Sequence, residues 1–499
     1  MRSRPGSKEW GSLLRGIPAI CLALASLTLP LALPDRPEAL ATLHIRLPLS
    51  ELGLLLSGLL LLPAQGRTSR LLRLLLVALL LALVFLKLAD LLLWSSLGRP
   101  FNLAHDFPLA HAGWMLLSGM LGTPAATLAV AGGALLAFLA GIVLWLATGA
   151  LLRFGRHRRL AAGLILLAAV PIPAGSASGG FPNARLVAAH VDSARAAARD
   201  MAALADEARE DRALQIAPEE GLGFLHGTDV ILAFVESYGR TTHENPLYRP
   251  TTLAALREME AELAAAGYEM RSAWLTAPTV GGQSWLSHAT LLSGLWIGSE
   301  GRYSAWLASS RASLIALAGE GGWRTLAVMP AITMPWPEGI RIGYDRIYAA
   351  ADLGYRGQPF NWVTMPDQYV WSALERLEWN VPGRPPLFAE VALISSHAPW
   401  TPLPRLVPWE EVGDGRIFDS QAAAGPAPEA LWRNHDRVRD HFRQTIDYAL
   451  RTAGEFTLRH AARMPLVILL GDHQPAPMIS GDPENRDVPV HLIGPRHLV

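Results

Sequence analysis

The chain has 499 residues, of which 51% are hydrophobic and only 17% charged, against about a quarter charged in an average soluble domain. Its 43 basic and 43 acidic residues cancel, which removes the electrostatic case for a nucleic-acid binder or a polybasic surface protein. A single cysteine, Cys21, excludes a disulfide framework within the chain, a cysteine-based zinc site and an iron–sulfur centre.

The apolar excess is concentrated at the start, in the stretches Ile17–Pro34, Pro48–Ala64, Leu74–Leu97, Thr123–Leu152 and Leu160–Ser176. The fourth carries no charge and, at 1.5 Å per residue, outreaches a hydrocarbon core of ~30 Å. Leucine and alanine dominate all five with hardly a polar face, so they lack the amphipathic stripe of a soluble bundle. Residues 1–176 are therefore predicted to form a transmembrane domain of five helices. Basic residues cluster before the first stretch (Arg2, Arg4, Lys8, Arg15), between the second and third (Arg67, Arg70, Arg73) and between the fourth and fifth (Arg153, Arg156, Arg158, Arg159). Five crossings place these clusters on one side, the cytoplasmic one. The rest of the chain then lies on the periplasmic or extracellular side of a multi-pass cell-membrane protein. Leu31-Ala32-Leu33-Pro34 makes a poor cleavage site, which favours a retained anchor over a signal peptide. Lys87 and Asp90 share one face of the third stretch. They either neutralise each other or reach a lipid headgroup or a neighbouring helix.

Residues 177–226 read as a linker, with a small-residue segment at Gly175–Gly180 and an alanine-rich, charged helix over Asn183–Arg212. From 227 to 499 the pattern changes. Apolar runs at Asp229–Val235, Thr325–Met329, Phe388–Ile394 and Leu466–Leu470 alternate with helical patterns at Thr252–Ala266, Ser309–Ala318, Met365–Leu377 and His435–His460. Continuous apolar strands alternating with helices predict an α/β domain with a mostly parallel sheet covered on both faces. Such sheets place their chemistry at the carboxyl ends of the strands.

Those ends carry the polar residues. The first run stops at Glu236-Ser237, the third at Ser395-Ser396-His397 and the fourth at Gly471-Asp472-His473. Glu236, Asp472 and His473 together offer two carboxylates and an imidazole, a ligand set for one divalent metal, Mn²⁺ or Zn²⁺. Such a metal attracts a phosphate oxygen and lowers the pKa of a nearby hydroxyl. The candidate hydroxyl is Ser284 in Gly281-Gly282-Gln283-Ser284-Trp285, where the glycines permit close backbone approach and a helix beginning after Ser284 aims its positive end at an anion. Ser287 and Thr290 compete for the role, Ser284 as a simple helix cap is the structural alternative, and Ser237 more naturally supports Glu236.

Taken together, the membrane segments, helical linker and α/β domain resemble the lipoteichoic-acid synthases and related phosphoglycerol transferases of the alkaline phosphatase–sulfatase superfamily. The resemblance rests on Ile231–Gly239, Gly281-Gly282-Gln283-Ser284, Ser395-Ser396-His397-Ala398-Pro399, Leu470-Gly471-Asp472-His473, and Arg486–Val490 with His491–Gly494. It implies a sulfatase-like catalytic domain over 227–499, with metal ligands Glu236, Ser284, Asp472 and His473. It also implies Ser284 as nucleophile and His397 contacting the phosphoryl or leaving group, with Mn²⁺ favoured and Zn²⁺ or Mg²⁺ as alternatives. The implied reaction transfers a phosphoalcohol, glycerol phosphate first among them, from a membrane phospholipid to a glycan or lipid acceptor through a phosphoserine. No nucleic acid and no obligate protein partner is expected. The family's tryptophan and arginine that hold glycerol phosphate correspond to Trp336 and, two residues on, Glu338, so Arg341 is the nearest arginine left to bind substrate.

Competing readings are a sulfatase-like phosphoester or sulfate-ester hydrolase, a catalytically inactive membrane scaffold, and a transporter. The segment after Ser284 lacks the proline and arginine of the formylglycine signature. The four ligand positions argue against an inactive scaffold, and so few intramembrane charges argue against a translocation path.

Overall fold

The computed structural model describes residues 7–41, 47–63, 65–107, 109–110, 113–114, 117–118, 122–152, 162–163, 165, 180–209, 222–481 and 484–499. The chain divides into two compact units, Met1–Trp94 with Arg99–Ala197, and Ser95–Gly98 with Ala198–Val499.

The first unit is helical. Its principal helices are Ser7–Ala32, Leu49–Leu61, Arg67–Leu97 and Thr123–Leu152, followed by the start of Pro182–Glu207. Two of them, Arg67–Leu97 and Thr123–Leu152, are long and apolar enough to cross a membrane. Much of their leucine surface points outward: Leu92 is 67% exposed, Leu128 74% and Leu136 70%. A soluble core helix would bury those side chains, whereas lipid accepts them. Among the described residues, the expectation of five crossings is met in these two alone. The apolar part of the first helix, Ile20–Ala32, and the Leu49–Leu61 helix are shorter than a crossing requires. The predicted fifth stretch, 160–176, lies outside the described residues except at 162, 163 and 165.

Polar groups inside this unit find specific partners. Lys87 and Asp90 do not neutralise each other. Lys87 Nζ donates to the carbonyls of Leu31 (2.8 Å) and Leu33 (2.7 Å), capping the end of the first helix, where carbonyls lack intrahelical donors. Asp90 accepts from the Phe101 amide (2.8 Å) and lies 2.9 Å from His190 Nε2. Arg73 ties the two long helices together, donating to the Trp145 carbonyl at 2.6 Å and stacking over that indole. Glu51 accepts from Asn183 and from the Ala184 amide at the start of the Pro182–Glu207 helix, where negative charge is favoured. That helix realises the predicted Asn183–Arg212 element over most of its length.

The second unit is built on a seven-stranded sheet: β1 Val230–Val235, β2 Tyr268–Thr276, β3 Arg324–Met329, β4 Arg346–Ala349, β5 Leu387–Leu393, β6 Leu466–Gly471 and β7 Asp487–Pro495, in the order β2-β7-β6-β1-β5-β3-β4. Only β7 runs against the rest, since it is antiparallel to both β6 and β2. The alternation along β1 explains its unbroken apolar sequence. Ile231, Ala233 and Val235 enter a core with Leu256, Trp371, Phe442 and Phe456. Val230, Leu232 and Phe234 enter the opposite core with Leu286, Leu292, Trp306 and Ile315. Helices Arg249–Ala265, Asp367–Leu374 and His435–Arg459 supply the first face, and Ser284–Ser293, Glu300–Ala308 and Leu314–Glu320 the second.

The four strands predicted from apolar runs are all present within a residue or two. The predicted Ser309–Ala318 helix is displaced: Ser309 ends Glu300–Ala308, and the next helix starts at Leu314. β2, β4 and the Glu300–Ala308 helix carry no run that the sequence reading used.

Candidate metal centre and reaction cavity

Parallel register brings together residues far apart in sequence. Val235 pairs with Gly471, so Glu236 and Asp472 leave neighbouring strands side by side. Gly471 is needed there, because a Cβ would sit 1.8 Å from the Tyr238 carbonyl. Ser237 holds φ 58°, a costly conformation for a non-glycine residue. It is fixed from two sides: its amide donates to Asp472 Oδ1 at 2.7 Å, and its hydroxyl to Glu236 Oε1 at 2.8 Å. The glycine-rich turn docks beside the same segment. The Gly281 amide donates to the Gln474 carbonyl at 2.8 Å, and Gly281 and Gln283 both take positive φ, 73° and 63°. Ser284 then opens the ten-residue Ser284–Ser293 helix.

The result is a tight cluster. Ser284 Oγ lies 3.0 Å from Glu236 Oε2 and 3.2 Å from His473 Nε2, which is 3.4 Å from Glu236 Oε1 and 3.7 Å from Asp472 Oδ2. Ligand atoms on one tetrahedral ion with bonds of about 2.0–2.2 Å sit about 3.3–3.6 Å apart. Glu236, Asp472 and His473 are buried, with candidate ligand atoms all within 4.8 Å of one another. His473 Nδ1 is 2.8 Å from the Gln474 carbonyl, which orients the ring so that Nε2 faces Ser284, Glu236 and Asp472.

The electrostatics point the same way. Burial opposes ionisation of Glu236, but the imidazoles of His473 and His397 and the hydroxyl of Ser237 outweigh it and hold the carboxyl down, at about 2. Asp472 is pushed well above the ordinary carboxylate range by burial and by the Glu236 charge. Two carboxylates so placed ionise together only when a cation joins them. This donor set therefore fits a divalent ion.

A cavity of about 510 Å³ opens on the cluster. His397 lines it, with Nδ1 2.6 Å from the Ala398 carbonyl and its ring stacked on Trp362 at 4.0 Å. Trp336 lines it too, but Arg341 does not: its guanidinium donates to the carbonyls of Leu307 (2.8 Å) and Ser309. The structure thus brings together Glu236, Ser284, Asp472 and His473, sets His397 and Trp336 in the adjoining wall, and holds Arg341 elsewhere. The competing hydroxyls are engaged locally. Thr290 Oγ1 donates to the Leu286 carbonyl, and Ser287 Oγ is buried 3.5 Å from Thr279 Oγ1.

Sequence reasoning missed a second polar group in the same cavity. Glu390, fully buried on β5, lies 2.5 Å from His288 Nδ1 and accepts from the Tyr344 hydroxyl. His288, one turn after Ser284, stacks on Phe234 at 3.7 Å. The available signal was one acidic residue inside the otherwise apolar run Phe388–Ile394.

No protein-family profile matches the chain, and no curated protein matches it in sequence. Solved structures that match the chain include the lipoteichoic acid synthase LtaP from Listeria monocytogenes, at 14% identity and TM-score 0.38 over 54% of this chain and 66% of that one. The phosphoglycerol transferase GacH from Streptococcus pyogenes, solved with sn-glycerol-1-phosphate, matches at 14% identity and TM-score 0.37 over 59% and 74%. The integral membrane lipooligosaccharide phosphoethanolamine transferase EptA from Neisseria meningitidis matches at 11% identity and TM-score 0.38 over 87% and 78%. The chain spans just under two thirds of the length of the Listeria synthase.

Proposed function

We propose that this protein is a membrane-anchored, metal-dependent phosphotransferase. It moves a phosphoalcohol headgroup from a phospholipid to a glycan or lipid acceptor on the outer side of the cell membrane, through a phosphoserine at Ser284. The observation that carries this reading is the convergence of Ser284 Oγ, Glu236, Asp472 and His473 within bonding range of one ion. A divalent ion held by these residues would supply Lewis-acid charge to the serine oxygen and the phosphate. The oxygen-rich donor set with one imidazole suits Mn²⁺, with Zn²⁺ or Mg²⁺ as substitutes.

The protein's own groups do the rest. Ser284 Oγ, whose proton points to Glu236 Oε2, supplies the electron pair for the new bond to phosphorus. The bond from phosphorus to the diacylglycerol oxygen breaks, and that oxygen takes a proton from His397 Nε2. Its Nδ1 contact to the Ala398 carbonyl and the Trp362 stack hold the ring in place. The amino end of the Ser284–Ser293 helix favours the phosphate anion. An acceptor hydroxyl then gives its proton to the neutral His397 Nε2 and attacks phosphorus; the bond from phosphorus to Ser284 Oγ breaks, and that oxygen takes back its proton from Glu236 Oε2. The long apolar helices raise the local concentration of a lipid donor by keeping the protein in the bilayer.

The test is incubation of the purified full chain with labelled phospholipids and Mn²⁺, followed by intact-mass analysis. A mass increase at Ser284, absent from Ser284→Ala and from chelator-treated protein, is expected. Unmodified protein during ongoing diacylglycerol release would remove the covalent step.

A further inference from the structure

The cavity beside Ser284 carries a charge pattern that bears on which headgroup it accepts. Five carboxylates line it, Glu236, Glu300, Glu338, Glu390 and Asp472, and among its described lining residues there is no lysine or arginine. A divalent ion would offset Glu236 and Asp472. Glu390 is matched by His288 and Tyr344. It lies level with Leu232, four residues before Glu236 along the sheet, about 13 Å deeper at 3.3 Å per residue.

Among the described residues, Glu300 and Glu338 have no cationic partner. Both are half-buried, and Glu300 accepts a neutral hydrogen bond from Trp285 Nε1 at 3.0 Å. Both line the cavity together with Tyr303. Burial raises that phenol's pKa, a hydrogen bond with Trp336 opposes the rise, and the charges of Glu338, Glu300 and Glu390 add to it. Trp336 in turn packs beside Tyr344, with ring centroids 6.0 Å apart. Surplus negative charge among aromatic faces suits a cation, which gains charge-assisted hydrogen bonds and π attraction together. An uncharged polyol displacing water here would leave the carboxylates without a counter-charge.

We propose that this cavity selects a phospholipid whose headgroup ends in an ammonium group, over the glycerol implied by the sequence resemblance. Glu338 and Glu300 receive the ammonium beside Trp336 and Tyr303 while the phosphate sits at Ser284. The inference rests on the phosphotransferase reading and narrows its donor.

The full chain, reconstituted with Mn²⁺ in vesicles holding equal fractions of mass-labelled phosphatidylethanolamine and phosphatidylglycerol, tests it by diacylglycerol release and by the mass of the Ser284 adduct. The ammonium donor should be preferred by at least about tenfold in kcat/KM, the size of effect one charge-assisted contact commands. Glu338→Gln should cut that preference by about tenfold, chiefly through KM, and Glu338→Lys should reverse it. Glu300→Gln provides the same readout if the Glu338 variants fold poorly. Vesicles of phosphatidylcholine tell a primary from a quaternary ammonium, and either one outpacing the glycerol donor supports the assignment. Equal or better use of phosphatidylglycerol by active wild-type protein overturns it while leaving the transferase reading intact. No turnover of any donor defeats both.

Discussion

The two ends of β1 bury carboxylates in opposite ways. At its start, Asp229 receives a fork of hydrogen bonds from Arg384 at 2.6 and 2.8 Å and the Leu387 amide at 2.8 Å, with both charged side chains under 10% exposed. Just past its other end, Glu236 meets Asp472, His473 and Ser284, and no guanidinium or ammonium group bonds to it among the described residues. Burial is the same, but the neutralisation is not. A charge with a built-in counter-ion fastens the strand to its neighbours. A crowded pair without one costs stability until a ligand relieves it, which is the signature of a site for chemistry.

The sharpest way to separate the two ends is to remove one group from each. Ser284→Ala should lower diacylglycerol release by about a thousandfold or more, with the thermal melting midpoint close to wild type. Asp229→Ala should do the converse. It leaves Arg384 buried and unpaired, so denaturant unfolding should register a loss of about 3–5 kcal/mol.

A third buried carboxylate extends the contrast. Asp367 Oδ1 accepts from the Ser395 amide at 2.9 Å, while Oδ2 has no partner. Burial, opposed by the Ser395 hydrogen bonds, pushes its pKa up from 3.8 to about 7. The folded protein therefore binds this proton more tightly than the unfolded chain does. Its contribution to stability is complete below pH 3.8 and is lost as pH rises through about 7. Asp367→Asn should flatten the fall in unfolding midpoint across that window relative to wild type.

Smaller effects test the crowded end. In metal-free protein, Asp472→Asn should stabilise by on the order of 1 kcal/mol near neutral pH, because the buried amide needs no proton on folding whereas Asp472 must take one up, and should abolish the rise in melting temperature produced by Mn²⁺ in wild type. Metal-free Asp472→Asn melting well below wild type would erase the distinction drawn between the ends of β1. Smallest of all, Arg341→Ala should change stability by less than about 0.5 kcal/mol and leave kcat/KM for the donor unaltered, since that side chain serves the Leu307 and Ser309 carbonyls.

What was legible in the sequence follows the same physics. β1, β3, β5 and β6 are covered on both faces and so read as unbroken apolar runs. β2 is exposed over most of its length, and β4 is a four-residue edge strand, Arg346–Ala349; neither has to be apolar throughout. Glu236, Asp472 and His473 stood out as polar residues at the ends of those runs, and Ser284 by the Gly281-Gly282 turn before it and the helix after it. Their meeting depends on the register of β1 against β6, which no local pattern encodes. Arg341 was assigned by closeness in sequence to Trp336, yet helix Pro337–Ile342 turns it to backbone acceptors. The Glu390, His288 and Tyr344 group was hidden because its members come from a strand, a helix and a connecting segment far apart in sequence.

The cavity's two walls descend from different stretches of chain. Its reacting side depends on the abutment of β1 and β6, where a single inserted residue would pull Glu236 and Asp472 out of line. Its opposite side is furnished by Glu300–Tyr303 and Trp336–Tyr344, which take no part in that abutment. Substitutions can accumulate there without disturbing the proposed nucleophile, so under the transferase reading a lineage of such proteins is free to change its headgroup while the chemistry stays fixed.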